Sequence, residues 1–316
     1  MDAPDRALAE PRLLDHPAAH SLLAVGVVQP QLDEAEAFYG AFGLTVREEG
    51  GAVALRAATS SAPAATLREG PKRRVGHLTF GAFEEDIPRF RRRIEALGLK
   101  LVDPPKGIDP EPGSIWVMDP DGMAIQIAPG PKTSPDARRQ SQFVASDGWR
   151  YCPDRASTRA VPQRLGHTFL FSSDIGRTNR FYQDVLGLGL SDGNQYVSFL
   201  HGKYGSDHHI LGFGQSHAPG FHHLSFEVAN IDQIGVGGQH MTSLGHSGWG
   251  FGRHVAGSNW FWYIRDPWGG WAEYFCDIDY IPAGTEVTLR DLAPEDSVYL
   301  WGPPMPEDFI VNPEPA

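Results

Sequence analysis

Apolar and polar positions follow one scheme repeatedly along this chain. Residues 24–44, AVGVVQPQLDEAEAFYGAFGL, open with an apolar, strand-like run, pass a polar turn, and enter a helical pattern that carries Phe-Tyr and stops at Gly-Leu. Residues 167–188, HTFLFSSDIGRTNRFYQDVLGL, repeat that order. Asp33 and Asp174 stand where helix entry favours a capping or first-turn carboxylate, and Gly43 and Gly187 where the helix should end. A second pair is VGHLTF (75–80) and FHHLSF (221–226), each followed by a helical pattern, the first closing at Gly98. Further on, IWVMDPDGMAIQIA (115–128) matches WYIRDPWGGWAEYF (262–275): an alternating strand, an Asp-Pro turn, glycine, and another strand. The chain therefore reads as four units of strand, helix and several strands, two over about 20–130 and two over about 164–280. The expected class is α+β, each half pairing two modules around a curved sheet.

The two halves differ where it matters chemically. Ala24 occupies the place of His167, His77 that of His223, and Gln126 that of Glu273; Gln126 and Glu273 each lie seven residues after the Asp of their Asp-Pro turn. Alanine offers no ligand atom and neutral Gln is a poor one, whereas two imidazoles and a carboxylate form the face that suits non-haem Fe(II) with positions left open. Mn(II) accepts the same set, so iron is expected and manganese is the alternative. Within FHHLSFEV, alternation puts Leu224, Phe226 and Val228 on a core face and His223, Ser225 and Glu227 on the other, toward a polar cavity. This favours His223 over His222 as the ligand. A lone buried histidine would be read as a hydrogen-bonded core residue; His167, His223 and Glu273 together, at matching points of a duplicated unit, point to a metal.

Composition narrows the setting. The net charge of -12 and pI near 5.5 disfavour nucleic acid and anionic membranes as partners. No apolar run long enough to span a bilayer occurs, and the acidic N-terminus does not read as a signal peptide, so a cytoplasmic protein is expected. The two cysteines, Cys152 and Cys276, form neither a metal cluster nor a disulfide scaffold.

The segments LGHTFLF, HHILGF, FHHLSFEV, GRHVAGSNWFWYIRDP and WAEYF resemble the type I extradiol dioxygenases of the vicinal oxygen chelate superfamily, which also contains the glyoxalases. The resemblance spans about residues 20–280. It implies four βαβββ modules paired into two domains, 20–130 without metal and 164–280 with it. Residues 1–19 are then an extension, 131–163 a linker, and 281–316 a Pro-rich tail that wraps the second domain and could close over its mouth. The resemblance also implies catalytic residues: His209, with His208 the lesser match, then His254, Tyr263 nine residues later and Glu273 ten further on. Cleavage of a catechol next to its diol by O2 is the implied reaction, with His209 as acid–base and Tyr263 and His254 beside the substrate oxygen. The family commonly assembles, so a homo-oligomer is expected.

Trp249, Phe251, Trp260 and Phe261 are candidates to stack on a flat ring, and His201, His217, His240 and His246 read as exposed loop histidines. The YCPDR run (151–155) matches no motif of the family. The competing readings are a glyoxalase-type metal isomerase or lyase, which commonly draws more than one carboxylate from paired modules, and a non-catalytic small-molecule binder of the same fold.

Overall fold

The computed structural model describes residues 16–109, 111–139, 141, 159–290 and 292–314; Cys152 and the YCPDR run lie outside them. The first unit runs β1 (Ser21–Gln29), α1 (Leu32–Phe42), β2 (Thr45–Glu49), β3 (Ala52–Arg56) and β4 (Ala65–Glu69). The second runs β5 (Arg74–Ala82), α2 (Ile87–Ala96), β6 (Ile115–Met118) and β7 (Ala124–Pro129). The third runs β8 (Arg164–Ser172), α3 (Ile175–Leu186), β9 (Gly189–Gly193), β10 (Val197–His201), β11 (Ser206–Asp207) and β12 (Leu211–Gln215). The fourth runs β13 (Gly220–Glu227), α4 (Ile231–Ser243), β14 (Gly248–Arg253), β15 (Trp260–Arg265) and β16 (Trp271–Cys276), and β17 (Tyr280–Ile281) follows.

The helix ends are set by the expected residues. Asp174 accepts a hydrogen bond from the Arg177 amide at the start of α3, and Gly187 ends that helix with φ 69°. Gly43 ends α1 with φ 104°, a left-handed conformation that favours glycine. Asp33 lies in the first turn of α1, where a carboxylate meets the positive end of the helix dipole.

The sheets order as β2-β3-β4-β1-β5-β7-β6 and β14-β15-β16-β13-β8-β12-β10-β9. In each, two long antiparallel strands form the centre (β1 with β5, β8 with β13), and each takes a parallel neighbour outside it. The second unit is one strand short of the fourth. Among the described residues its segment LVDPPKGIDPEPG makes only an isolated bridge, Leu101 to Val117, because proline lacks the amide a ladder requires. A continuous apolar core joins the halves: Phe42 of α1 lies flat on Tyr274 of β16 with centroids 3.8 Å apart, and the Tyr274 hydroxyl donates to the Phe42 carbonyl. Among the described residues no helix is long and apolar enough to cross a membrane.

Several histidines are structural. His77 lies across Gly26, where a Cβ would come within 2.1 Å of its ring. His201, expected in an exposed loop, is instead buried on β10, because its ring lies across Gly189 of β9, where a Cβ would come within 2.3 Å, and is bonded to Ser191. His240 is likewise on a helix, α4, rather than a loop, and His246 is half-buried against Phe38; His217 is exposed. Burial, first among the causes, pushes the imidazole pKa of His20, His77 and His201 from 6.5 down to about 4. Above pH 6.5 both folded and unfolded chains hold these rings neutral. Below it the unfolded chain takes up protons that the folded chain refuses, so stability falls until about pH 4 and does not recover below. Each ring contributes a slope of up to about 1.4 kcal/mol per pH unit in that window. Urea unfolding from pH 7 to 4.5 should therefore show His77→Gln flattening the pH dependence by about one proton; an unchanged slope would mean that His77 is protonated in the fold.

Candidate metal centre and cavity

Strands β8, β13 and β16 lie side by side, and their register brings three side chains to one point. Ser225 pairs with His167 across the antiparallel ladder and with Glu273 across the parallel one. The corresponding triplet of the first sheet is Ala24, Thr79 and Gln126, in the same register. There Thr79 donates to Gln126 Oε1 at 2.8 Å; here Ser225 donates to Glu273 Oε2 at 2.5 Å. The halves are thus one construction with different side chains at its centre.

His167 Nε2 lies 3.1 Å and His223 Nε2 3.4 Å from Glu273 Oε2, and all three residues are buried. Asn259 Nδ2 lies 3.4 Å from the other carboxylate oxygen, and His254 Nε2 lies 3.6 Å from it. Burial would raise the Glu273 pKa, but the imidazoles of His167, His223 and His254 around it override burial and hold the carboxyl well below the usual range. His223 is pushed down to about 4, by burial first, against the opposing pull of Glu273. A charged Glu273 carboxylate beside a neutral His223 imidazole is the protonation state a divalent cation needs. His223 Nε2 and His167 Nδ1 are buried ring nitrogens without a hydrogen-bond partner. Such orphaned lone pairs are costly unless something binds them. The donor set therefore fits a metal ion, and its nitrogen–carboxylate character is that of Fe(II) or Mn(II).

A bulge places the two adjacent histidines of β13. The ladder with β8 slips between Phe221 and His223, so His222 and His223 oppose a single position and both reach the same cavity. Beyond the bulge alternation resumes: Leu224, Phe226 and Val228 enter the core. Ser225 and Glu227, expected toward the cavity, are absent from its wall. Ser225 serves Glu273, and Glu227 is locked in a buried network in which Arg164 donates to Glu227 at 2.7 Å and to Asp207 at 2.6 Å.

The cavity holds about 370 Å³ and opens between the sheet and the C-terminal tail. His167, His209, His223, His254 and Tyr263 line its inner end, and His208 does not reach it. Tyr263 Oη is 3.0 Å from His254 Nε2, whose Nδ1 is bonded to the Val298 carbonyl. A carbonyl only accepts, so that Nδ1 donates and the Tyr263 hydroxyl donates to Nε2. Burial holds the Tyr263 phenol well above its ordinary pKa, so it keeps its proton. The outer wall is aromatic and aliphatic: Phe169, Phe171 and Phe199 from the sheet, with Val298, Phe309 and Ile310 from the tail.

The ring-stacking candidates are elsewhere. Trp249 lies behind Tyr263 (5.6 Å, 14°), Phe261 stacks on the far side of His254, and Phe251 stacks on Trp260 beside Trp301. These belong to β14 and β15 at the sheet edge, whose faces are spent on the tail, so none lines the cavity. Asn259 and Phe309 carried no sequence signal: one stands in a turn, the other in a tail without periodicity.

Comparison with known proteins gives a consistent context. Residues 164–274 match the family described as the glyoxalase/bleomycin resistance protein/dioxygenase superfamily. Metapyrocatechase 2 of Cupriavidus necator is 42% identical over 99% of this chain and 98% of its own length. An iron-dependent extradiol dioxygenase of Rhodococcus jostii is 29% identical over 48% of this chain and 53% of its own. The fold matches that of a Mn(II)-bound glyoxalase from Novosphingobium aromaticivorans with a TM-score of 0.73 at 24% identity, covering 94% of this chain and 97% of that one.

Proposed function

From the premise that this chain belongs to the extradiol dioxygenases of the glyoxalase/bleomycin resistance protein/dioxygenase superfamily, we propose that His167, His223 and Glu273 hold its metal and that His209, Tyr263 and His254 carry its proton chemistry. The protein is a ring-cleaving oxygenase that opens a catechol-type ring beside its vicinal diol with O2, at a non-haem iron centre, as in the breakdown of aromatic compounds. The observation that carries the site assignment is the convergence of two imidazoles and one carboxylate, with orphaned ring nitrogens, where His167 and His223 line an apolar cavity.

When bound, the metal lowers the pKa of the substrate hydroxyls and passes electron density from ring to oxygen. The residues do the rest. Tyr263 and His254 form a donor–acceptor pair beside the diol, the phenol supplying a hydrogen bond to a substrate oxygen when the substrate takes it from His254. His209 faces the opposite side, its Nδ1 held by His208, so Nε2 is the nitrogen available to the cavity it lines. It takes up a proton released from the diol and returns one to the oxygen leaving the O–O bond. Phe169, Phe199 and the tail residues keep bulk water from the reacting atoms.

The same wall defines the substrate class. No arginine, lysine, aspartate or glutamate lines the cavity among the described residues. A ring carboxylate would lose its hydration without a partner, which is costly. Catechols with alkyl or aryl substituents are therefore the class that fits. With the Fe(II)-loaded chain, kcat/KM for such catechols should exceed that for a carboxylate-bearing catechol by roughly tenfold or more. Preference for the carboxylate would overturn the reading of this wall, and no O2 uptake with any catechol would overturn the site assignment.

A further inference from the structure

Two of the histidines given roles above are each preceded by another histidine. His208–His209 stand on the approach to β12 and His222–His223 on β13, yet their contacts are the same. In each pair the two Nδ1 atoms face one another, at 3.1 Å in the first and 2.6 Å in the second. In each pair the leading histidine turns Nε2 onto an oxygen: His208 to Asp192 at 2.9 Å, and His222 to the Phe309 carbonyl at 2.6 Å. Both anchors can only accept. Phe309 offers a carbonyl, and Asp192 is a carboxylate paired also with Arg290 at 2.6 Å.

Hydrogen-bond bookkeeping then leaves one arrangement for neutral rings. A nitrogen facing an acceptor must carry the proton, so His208 and His222 are Nε2–H imidazoles and accept at Nδ1. The nitrogen facing that lone pair must carry a proton in turn, so His209 and His223 are Nδ1–H imidazoles. Each then presents a bare Nε2; that of His223 lies 3.4 Å from Glu273 Oε2 without a hydrogen bond between them, an approach of two acceptors that a cation held by both would relieve. We propose that His208 and His222 are positioning residues that lock the tautomers of His209 and His223, leaving an Nε2 lone pair aimed at the cavity in one and at Glu273 in the other.

The second lock makes the tail part of the metal site. The Phe309 carbonyl is held in place by neighbours on both sides of the mouth. Asn312 donates to the Ala218 carbonyl at 2.9 Å, Trp249 donates to that of Pro303 at 2.9 Å, and Arg265 reaches Asp308 at 2.8 Å. Gly220 makes room for Asn312, since a Cβ there would come within 2.2 Å of its amide oxygen.

The inference rests on the proposed roles of His223 and His209, and its test separates the two. The full-length chain, labelled with 15N at histidine and not yet loaded with iron, is read by two-bond imidazole correlation spectra, with residues assigned by substitution. The expected result is Nδ1–H for both His209 and His223, although free imidazole side chains favour Nε2–H. His223 as Nε2–H or doubly protonated overturns the lock, whether or not the chain binds metal. His208→Phe and His222→Phe should release their followers from the Nδ1–H form. His208→Asn and His222→Asn, which keep an acceptor where Nδ1 was, should hold it. By chelator competition, His222→Phe should weaken Fe(II) binding roughly 10–100-fold, His222→Asn should stay within a few-fold of the parent, and neither His208 variant should change it. Equal affinity in all four variants overturns the role of His222. Correct tautomers in a chain that binds no Fe(II) would leave the locks standing and remove the metal assignment instead.

Discussion

Glu273→Gln abolishes stable iron binding and lowers turnover by roughly 10³-fold or more, the scale on which removing one element of a charge-stabilising site acts. Gln keeps the volume of the side chain and a carbonyl oxygen for Ser225, so β13 and β16 should stay paired. What it loses is the charge that makes the site worth a divalent cation, as Gln126 does at the matching point of the first sheet. In the absence of metal the substitution carries a stability cost as well. The imidazoles that hold the Glu273 carboxyl well below its usual range favour its charged form in the fold, and Gln loses that, so the metal-free variant should be no more stable than the metal-free parent. Iron should then raise the unfolding temperature of the parent and leave that of the variant unmoved. Thermal unfolding with and without Fe(II), beside a chelator assay for iron content, reads all of this. A variant that still binds iron with parental affinity would remove Glu273 from the ligand set.

The second large effect is at His209. His209→Asn keeps an atom at the position of Nδ1, and with it the contact to His208, but removes the Nε2 that faces the cavity. Iron affinity should stay within about twofold while kcat falls roughly 10²–10⁴-fold, the usual weight of a positioned acid–base group. A fall in iron affinity instead would mean that the ring acts by supporting His167, whose centroid is 4.2 Å away. Full activity would remove it from the proton path.

Much of this molecule is legible in its sequence. Duplication supplied an internal control. Ala24, Thr79 and Gln126 occupy the same register as His167, Ser225 and Glu273, so a difference in chemistry stood out against an unchanged frame. The caps of α3 and the glycine ends of α1 and α3 are local devices and were read locally.

What failed was long-range or broke a period. Simple alternation chose between His222 and His223, yet the bulge brings both to the cavity and makes them partners. The aromatics of β14 and β15 are only candidates for the substrate in the sequence, and at a sheet edge their packing is decided by the tail, which has no periodicity to announce itself. The missing strand of the second unit traces to its prolines, a signal that was present in the sequence.

The central claim is tested most directly by the fate of oxygen in one reaction. The Fe(II)-loaded chain is given an alkylcatechol and a limiting, measured quantity of O2, and the product is weighed by mass spectrometry. The account predicts one O2 consumed per catechol and a ring-opened product equal to the catechol plus both oxygen atoms. A quinone, formed by loss of two hydrogens with no oxygen gained, or an unchanged catechol beside fully bound iron, would contradict it.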